Sequence, residues 1–254
     1  MTIAIVRGVS PSLAACELTH LARQPIDAAR AALEHEDYQR CLATLGAELV
    51  RLPADPELPD SVFVEDAAVV LDELAIITRP GAASRRAETA AIADALRLYR
   101  DLAFIEEPAT VDGGDVLVVG RRVYVGLSSR TSTVGVAQVR QVLEPLGYRV
   151  TIVAVDGCLH LKSAVTQVAP DTVLINRTWV DSDAFRGMRL VEVDPTEPHA
   201  ANALRIRDSV VYPAAFEHTQ DRLCRLGIRV VPVDISELSK AEGGVTCCSL
   251  IIPV

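Results

Sequence analysis

At 254 residues with a net charge of −9, 50% apolar and only 4% aromatic residues, the chain reads as one soluble α/β domain. It should bury roughly three quarters of its unfolded surface in an Ala, Val, Leu and Ile core. The acidic balance disfavours nucleic acid and anionic membrane, which need clustered Lys and Arg, and suits a cationic small molecule. No apolar run reaches membrane-spanning length, TIAIV is too short for a signal-peptide core, and six cysteines without a C-x-x-C pair indicate reduced thiols and a cytoplasmic location.

The first element is the strand TIAIV, residues 2–6. A helix is expected over 27–46, where Tyr38, Cys41, Leu42 and Leu45 fall at i, i+3, i+4 and i+7. A repeated unit begins there: strand AELVRLP, polar motif and strand SVFVEDAAVV, strand LAIITRP, and a helix over 84–100. The second copy runs LAFIEEP, ATVDGGDVLVV, RVYVGL and a helix over 131–147; the third runs YRVTIVAV, CLHLKSAV, TVLINRT and a helix over roughly 178–187. The fourth has MRLVEVDP, HAANALRI, SVVYPAA and a helix over 217–227, and the fifth stops after IRVVPVD and GVTCCSLII. Gly46, Gly147, Gly187 and Gly227 stand where helix ends favour a left-handed residue. No linker interrupts residues 1–254, so a single domain is expected. The fifth copy lacks a strand, and residues 2–6 are predicted to pair with it and close a ring, which removes exposed sheet edges.

In each copy a different polar residue interrupts the apolar strand: Glu65-Asp66, Asp112, His160, Asn202 and Cys247. Starting from Asp66 the steps are 46, 48, 42 and 45 residues. Such a period marks a radial or stacked architecture in which equivalent positions surround an axis. Two carboxylates, an imidazole and a thiol would then meet at one end of it. A thiolate is a strong nucleophile that needs a lowered pKa or a base, and His160 can carry protons both ways near neutrality. Carboxylates beside a thiol suppress its ionisation unless the substrate brings positive charge, and a planar guanidinium does so while pairing with them. Arg85 lies 19 residues after Asp66 and Arg130 lies 18 after Asp112. Two arginines in matching places would hold a carboxylate, so the implied ligand is arginine or an N-substituted arginine.

LPDSVFVED, ITRPGAASRR, DGGDVLVVG, VGLSSRT, LHLKS, HAAN and GGVTCCSLI, spread over nearly the whole chain, resemble the dimethylarginine dimethylaminohydrolase family of the amidinotransferase, or pentein, superfamily. The resemblance implies a five-bladed pseudosymmetric α/β propeller of ββαβ repeats. It also implies hydrolysis of asymmetric dimethylarginine or monomethylarginine to citrulline through a covalent S-alkylthiouronium, with no required cofactor. By that similarity Cys247 is the nucleophile and His160 the general acid and base, while Asp112 orients His160 or the guanidinium. Asp60, Glu65 and Asp66 match substrate-facing acids, Arg85 and Arg130 the α-carboxylate clamp, and Leu18 a lid position within residues 13–26. Ala241 stands near the substrate's amino end, where relatives have a bulkier Val or Ile. Asp112 is one methylene shorter than the Glu of certain bacterial relatives.

Other readings of the same residues stay in view. Arginine deiminase performs this chemistry on unmethylated arginine, but usually carries a helical insertion for which this chain has no room. A non-catalytic binding protein on the same scaffold, such as a ribosome anti-association factor, would not need a thiol and an imidazole in register. Zinc at Cys247 and His160 would occupy the nucleophile and inhibit. A homodimer is left open. Cys248 should face away from the site and pack, and Cys16, Cys41, Cys158 and Cys224 are core or surface thiols. His20, His35, His199 and His218 are expected in solvent, Asn202 is read as structural, and Trp179 has no assigned role.

Overall fold

The computed structural model describes residues 2–253; Met1 and Val254, the ends of the expected 1–254 domain, lie outside the described residues. In chain order the elements are β1 (Thr2–Arg7), α1 (Ala28–Thr44), β2 (Ala47–Leu52), β3 (Ala68–Val70), β4 (Leu74–Ile77), α2 (Thr89–Leu96), β5 (Asp101–Phe104), β6 (Val116–Val119), β7 (Arg122–Leu127), α3 (Thr133–Leu143) and β8 (Arg149–Ala154). They continue with α4 (Leu161–Ala164), β9 (Val165–Ala169), β10 (Thr172–Ile175), β11 (Arg189–Glu192), β12 (Leu204–Ile206), β13 (Ser209–Pro213), α5 (Glu217–Arg225), β14 (Arg229–Val233), α6 (Ser236–Ser239) and β15 (Leu250–Pro253).

Five three-stranded sheets result, β3-β4-β5, β6-β7-β8, β9-β10-β11, β12-β13-β14 and β15-β1-β2. In each, the first two strands are antiparallel and the third returns parallel to the second. The architecture is the expected five-bladed α/β propeller of ββαβ units. The unit boundary differs by one strand from the repeat read in the sequence. The strand that opens each copy, AELVRLP for instance, completes the preceding blade, because a parallel partner can be reached only after a crossover. β1 pairs with β15 as Ile3 opposite Ile252 and with β2 as Ile3 beside Glu48.

The five first strands, β3, β6, β9, β12 and β15, all contribute to the wall of one axial channel of about 200 Å³. The apolar core is divided into five clusters, mostly between neighbouring blades. α1 begins where the Asp27 carboxylate accepts from the amides of Ala29 and Arg30, and it buries Ala31, Tyr38 and Leu42. The expected helix over 178–187 is a single 3₁₀ turn, Ser182–Phe185. Asn176 Oδ1 accepts from the Thr178 amide, and Val180 bridges to Val155, so too little chain remains for a helix. His35, expected in solvent, is 1% exposed and stacked on Tyr38, because it lies on the inner face of α1.

Candidate active site

The polar residue of every copy stands in the short segment leading into the first strand of a blade. Glu65 and Asp66 lie in a 3₁₀ turn before β3, Asp112 caps a turn before β6, and His160 precedes α4 and β9. Asn202 precedes β12, and Cys247 lies in the turn before β15. Equivalent places around one axis therefore converge, and different blades supply each group.

His160 is 4% exposed, and its Nε2 lies 2.9 Å from Asp112 Oδ2 while Nδ1 is 3.8 Å from Asp66 Oδ1. Asp112 is fully buried, and its second oxygen accepts from the Gly81 amide at 2.8 Å. The DGGD run is more than a turn. A Cβ on Gly114 would sit 2.6 Å from His160 Nδ1 and 2.7 Å from Asp66 Oδ1, and the Gly114 amide donates to Asp66 at 2.9 Å. Asp115 accepts from the Leu161 amide and from Ser128 and Thr131, which ties the second blade to the turn carrying His160.

Burial alone would lower the His160 pKa, but the carboxylates of Asp66, Asp112 and Asp115 outweigh it and hold the imidazole at about 9. Burial alone would raise Asp66, yet His160 and Arg85 bring it down to about 2. Burial, with Glu65 and Asp66 nearby, pushes the Cys247 thiol up to about 12, opposed by the Gly244 amide, which lies 3.3 Å from Sγ. The resting pair is therefore a neutral thiol and an imidazolium.

A cavity of about 20 Å³ brings together Cys247, His160, Asp66, Asp60, Arg85, Arg130 and Ala241, with Glu17 and Glu242 also in its wall. Several residues depart from their sequence-based places. Arg85 and Arg130 are not an equivalent pair. Arg85 donates to Asp66, to both oxygens of Glu88 and to the carbonyls of Asp60 and Phe63, so its fork is largely filled by the protein. Arg130 donates to Thr19 Oγ1 at 2.9 Å, and among the described residues no carboxylate lies within ion-pair distance of it. Glu65 turns toward the axial channel, engaged by Lys162 and by Thr246, because its neighbour Asp66 takes the side of the cavity. Leu18 is half-buried against the cluster that includes Phe63 and Ala241, and Glu17 supplies the lid segment's part of the wall.

The lid segment is held by Asp60, expected to face the substrate, and by Glu242, which the sequence did not single out. The Glu242 carboxylate accepts from the amides of Thr19, His20 and Leu21, and Asp60 accepts from the Glu17 amide at 3.1 Å. Glu242 adopts φ 59, an uncommon left-handed conformation for a residue with a side chain. Glu88, Lys162 and Thr246 were likewise missed as partners. Glu88 lies at i+3 from Arg85 in a helical turn, and the other two stand inside motifs already quoted, but their pairings cross between blades. Asp66, Asp112 and His160 offer ligand atoms within 4.8 Å of one another. That cluster is internally paired, His160 with Asp112 and Asp66 with Arg85, which leaves a metal little free donor capacity. Cys248 is fully buried in the cluster with Tyr38.

The chain is similar to known proteins along nearly its whole length. A family model described as N,N dimethylarginine dimethylhydrolase, eukaryotic, matches residues 19–253. The N(G),N(G)-dimethylarginine dimethylaminohydrolase of Streptomyces coelicolor is 42% identical over 97% of this chain and 95% of its own. That of Pseudomonas aeruginosa is 38% identical over 88% and 89%. The structure of a cysteine-to-serine mutant of the Pseudomonas aeruginosa enzyme, complexed with citrulline, superposes with a TM-score of 0.93 at 36% identity, covering 98% of each chain.

Proposed function

This chain belongs to the dimethylarginine dimethylaminohydrolase family, and on that premise we infer that it hydrolyses asymmetric dimethylarginine or monomethylarginine to citrulline plus dimethylamine or methylamine. The observation that carries the reading is one cavity in which a thiol, an imidazolium and an arginine-paired carboxylate face a second arginine that has no carboxylate partner among the described residues. A substrate with a guanidinium at one end and a carboxylate at the other satisfies both ends. Arg130 takes the α-carboxylate, Asp60 and the Ala241 carbonyl take the α-ammonium, and Leu18 lies over the amino acid. Asp66 and Asp112 align the guanidinium, Arg85 holds Asp66 in place, and Glu65 supports the nucleophile from the axial side.

Arrival of a fixed positive charge lowers the cost of ionising Cys247, and the thiol proton leaves for solvent. Sulfur attacks the central carbon to form a C–S bond. His160, which carries a proton at neutral pH, gives it to the methylated nitrogen, and the C–N bond breaks to release the amine. The remaining S-alkylthiouronium is still cationic and still held by the carboxylates. Neutral His160 then takes a proton from water as the oxygen bonds to carbon. The C–S bond breaks, the hydroxyl proton leaves, and citrulline departs.

The reaction so written transfers no electrons and calls on no cofactor; zinc bound by Cys247 and His160 would block attack and inhibit. Every group invoked comes from one chain, so the chemistry does not call for a homodimer. The free cysteines suit a cytoplasmic location, and no helix of the described residues is long and apolar enough to cross a membrane.

The test is turnover of dimethylarginine and arginine, measured separately as citrulline, with mass spectrometry of enzyme quenched during turnover. Expected are preferential hydrolysis of the methylated substrate and a covalent adduct on Cys247. Equal or better turnover of arginine would favour the deiminase reading, and undiminished activity in Cys247→Ser would end the covalent mechanism.

A further inference from the structure

Four of the five repeat positions have a part in the chemistry above, and the fourth blade's Asn202 does not. The residue is 8% exposed, and its side-chain amide makes three hydrogen bonds. Nδ2 donates to the Lys162 carbonyl at 3.1 Å and to Thr246 Oγ1 at 2.9 Å, and Oδ1 accepts from the Thr246 amide at 3.0 Å. Lys162 stands two residues after His160, and Thr246 one before Cys247. One planar side chain thus bridges the turn that carries the base to the turn that carries the nucleophile.

The rest of the network gives that bridge a direction. Thr246 Oγ1 accepts from Asn202 and so donates to Glu65 Oε2 at 2.7 Å, while Lys162 Nζ donates to Glu65 Oε1. The Glu65 amide closes the circuit on the Cys247 carbonyl at 3.1 Å. An amide turned through 180° would set its NH₂ against the Thr246 N–H and its oxygen against the Lys162 carbonyl, so only one orientation satisfies every partner. Gly244 supplies the second link. A Cβ there would lie 2.4 Å from Asn202 Oδ1, so the asparagine seats directly on this residue, and the Gly244 amide lies 3.3 Å from Cys247 Sγ. That amide is the backbone donor that opposes the upward push on the thiol pKa.

We propose that Asn202 is a positioning residue for the reaction, holding the Gly244 N–H on the Cys247 sulfur and fixing the nucleophile turn against the His160 turn. This rests on Cys247 being the nucleophile. Loss of the amide lets the 244–247 turn shift relative to His160, and displacements of about 1 Å between reacting groups can cost up to about 100-fold in rate. Substrate binding uses Arg130, Asp60 and the Ala241 carbonyl, none of which is hydrogen-bonded to the Asn202 side chain, and should change little.

The experiment compares wild type with Asn202→Ala and with the near-isosteric Asn202→Asp, which keeps the acceptor for Thr246 but loses both donors. Expected are a fall in kcat of roughly 10- to 100-fold with KM within about threefold, and a pH profile for alkylation of Cys247 by iodoacetamide displaced to higher pH. Combining Asn202→Ala with Thr246→Val should cost less than the product of the two single effects, because both act on the same bridge. The proposal is overturned if the folded fraction of both variants, read by circular dichroism, keeps the wild-type kcat and alkylation profile, or if activity falls only in step with unfolding. If Asn202→Ala fails to fold, Asn202→Asp decides alone. Alkylation is read without substrate, so wild-type protein inactive on methylated arginine would sink the functional reading and leave this one to the alkylation profile.

Discussion

Arg85 and Arg130 have similar sequence surroundings and different work, because what each can do depends on which partners reach it first. Arg85 and Asp66 are buried together with Glu88, and removing one member of such a set leaves charge without compensation. Arg85→Met should therefore destabilise the fold by about 3–5 kcal/mol, measured by urea denaturation; a loss of catalysis at unchanged stability would contradict the structural share of its role. The titration of His160 bears on both rate and stability. Its folded pKa, about 9 against an ordinary 6.5, means that its contribution to stability is complete below about pH 6.5 and is lost as pH rises through about 9. For Asp66, depressed to about 2, the contribution is present above the ordinary carboxylate range and is lost as pH falls through about 2. Turnover should accordingly decline on the alkaline side near pH 9 as the acid is lost. Alkylation of the free enzyme's Cys247 should be slow at pH 7 and keep rising beyond about pH 10. A kcat profile flat from about pH 7 to 10, or rapid alkylation at neutral pH, would contradict the neutral-thiol and imidazolium resting pair.

The segment from Glu17 to Leu21 illustrates how an element without regular structure is held. It contributes backbone N–H groups to Asp60 and Glu242 and a hydroxyl to Arg130, so three residues of the cavity wall also fasten its cover. Glu242→Ala removes the acceptor shared by three consecutive amides. It should raise KM several-fold and speed trypsin cleavage after Arg23, monitored by mass spectrometry; unchanged cleavage would show that the strap does not control opening. Most of the helices were legible from periodicity and terminal glycine, and Gly46, Gly147, Gly187 and Gly227 all take positive φ. The segment after β10 was misread because its apolar spacing suits a helix while Asn176 and the Val180 bridge consume the chain locally. The strands were legible, but their grouping was not, since β5 and its counterparts pair backward across a crossover, a helix before β2, β5, β8 and β14 and a 3₁₀ turn before β11.

For the molecule as a whole, ring closure depends on β1, which lies between the last strand of the chain and the strand after α1. Deleting residues 1–7 would leave β15 and β2 without a shared partner and expose two edges beside a buried cluster. We expect insoluble or unfolded protein, checked by circular dichroism and size-exclusion chromatography; a folded, active deletion variant would show that closure is dispensable. The recurrence of 42 to 48 residues was sufficient by itself to place Asp66, Asp112, His160 and Cys247 at one end of an axis, because a repeated unit carries its equivalent positions to equivalent places. The proposed nucleophile, base and electrostatic partner of the guanidinium follow from residue type at those positions. Only the tertiary structure decided that Arg85 is already paired, that Glu65 faces the channel with Lys162, and that Asn202 joins two turns 40 and more residues away. Such pairings depend on side-chain direction and on competition among buried charges, and neither leaves a periodic trace along the chain.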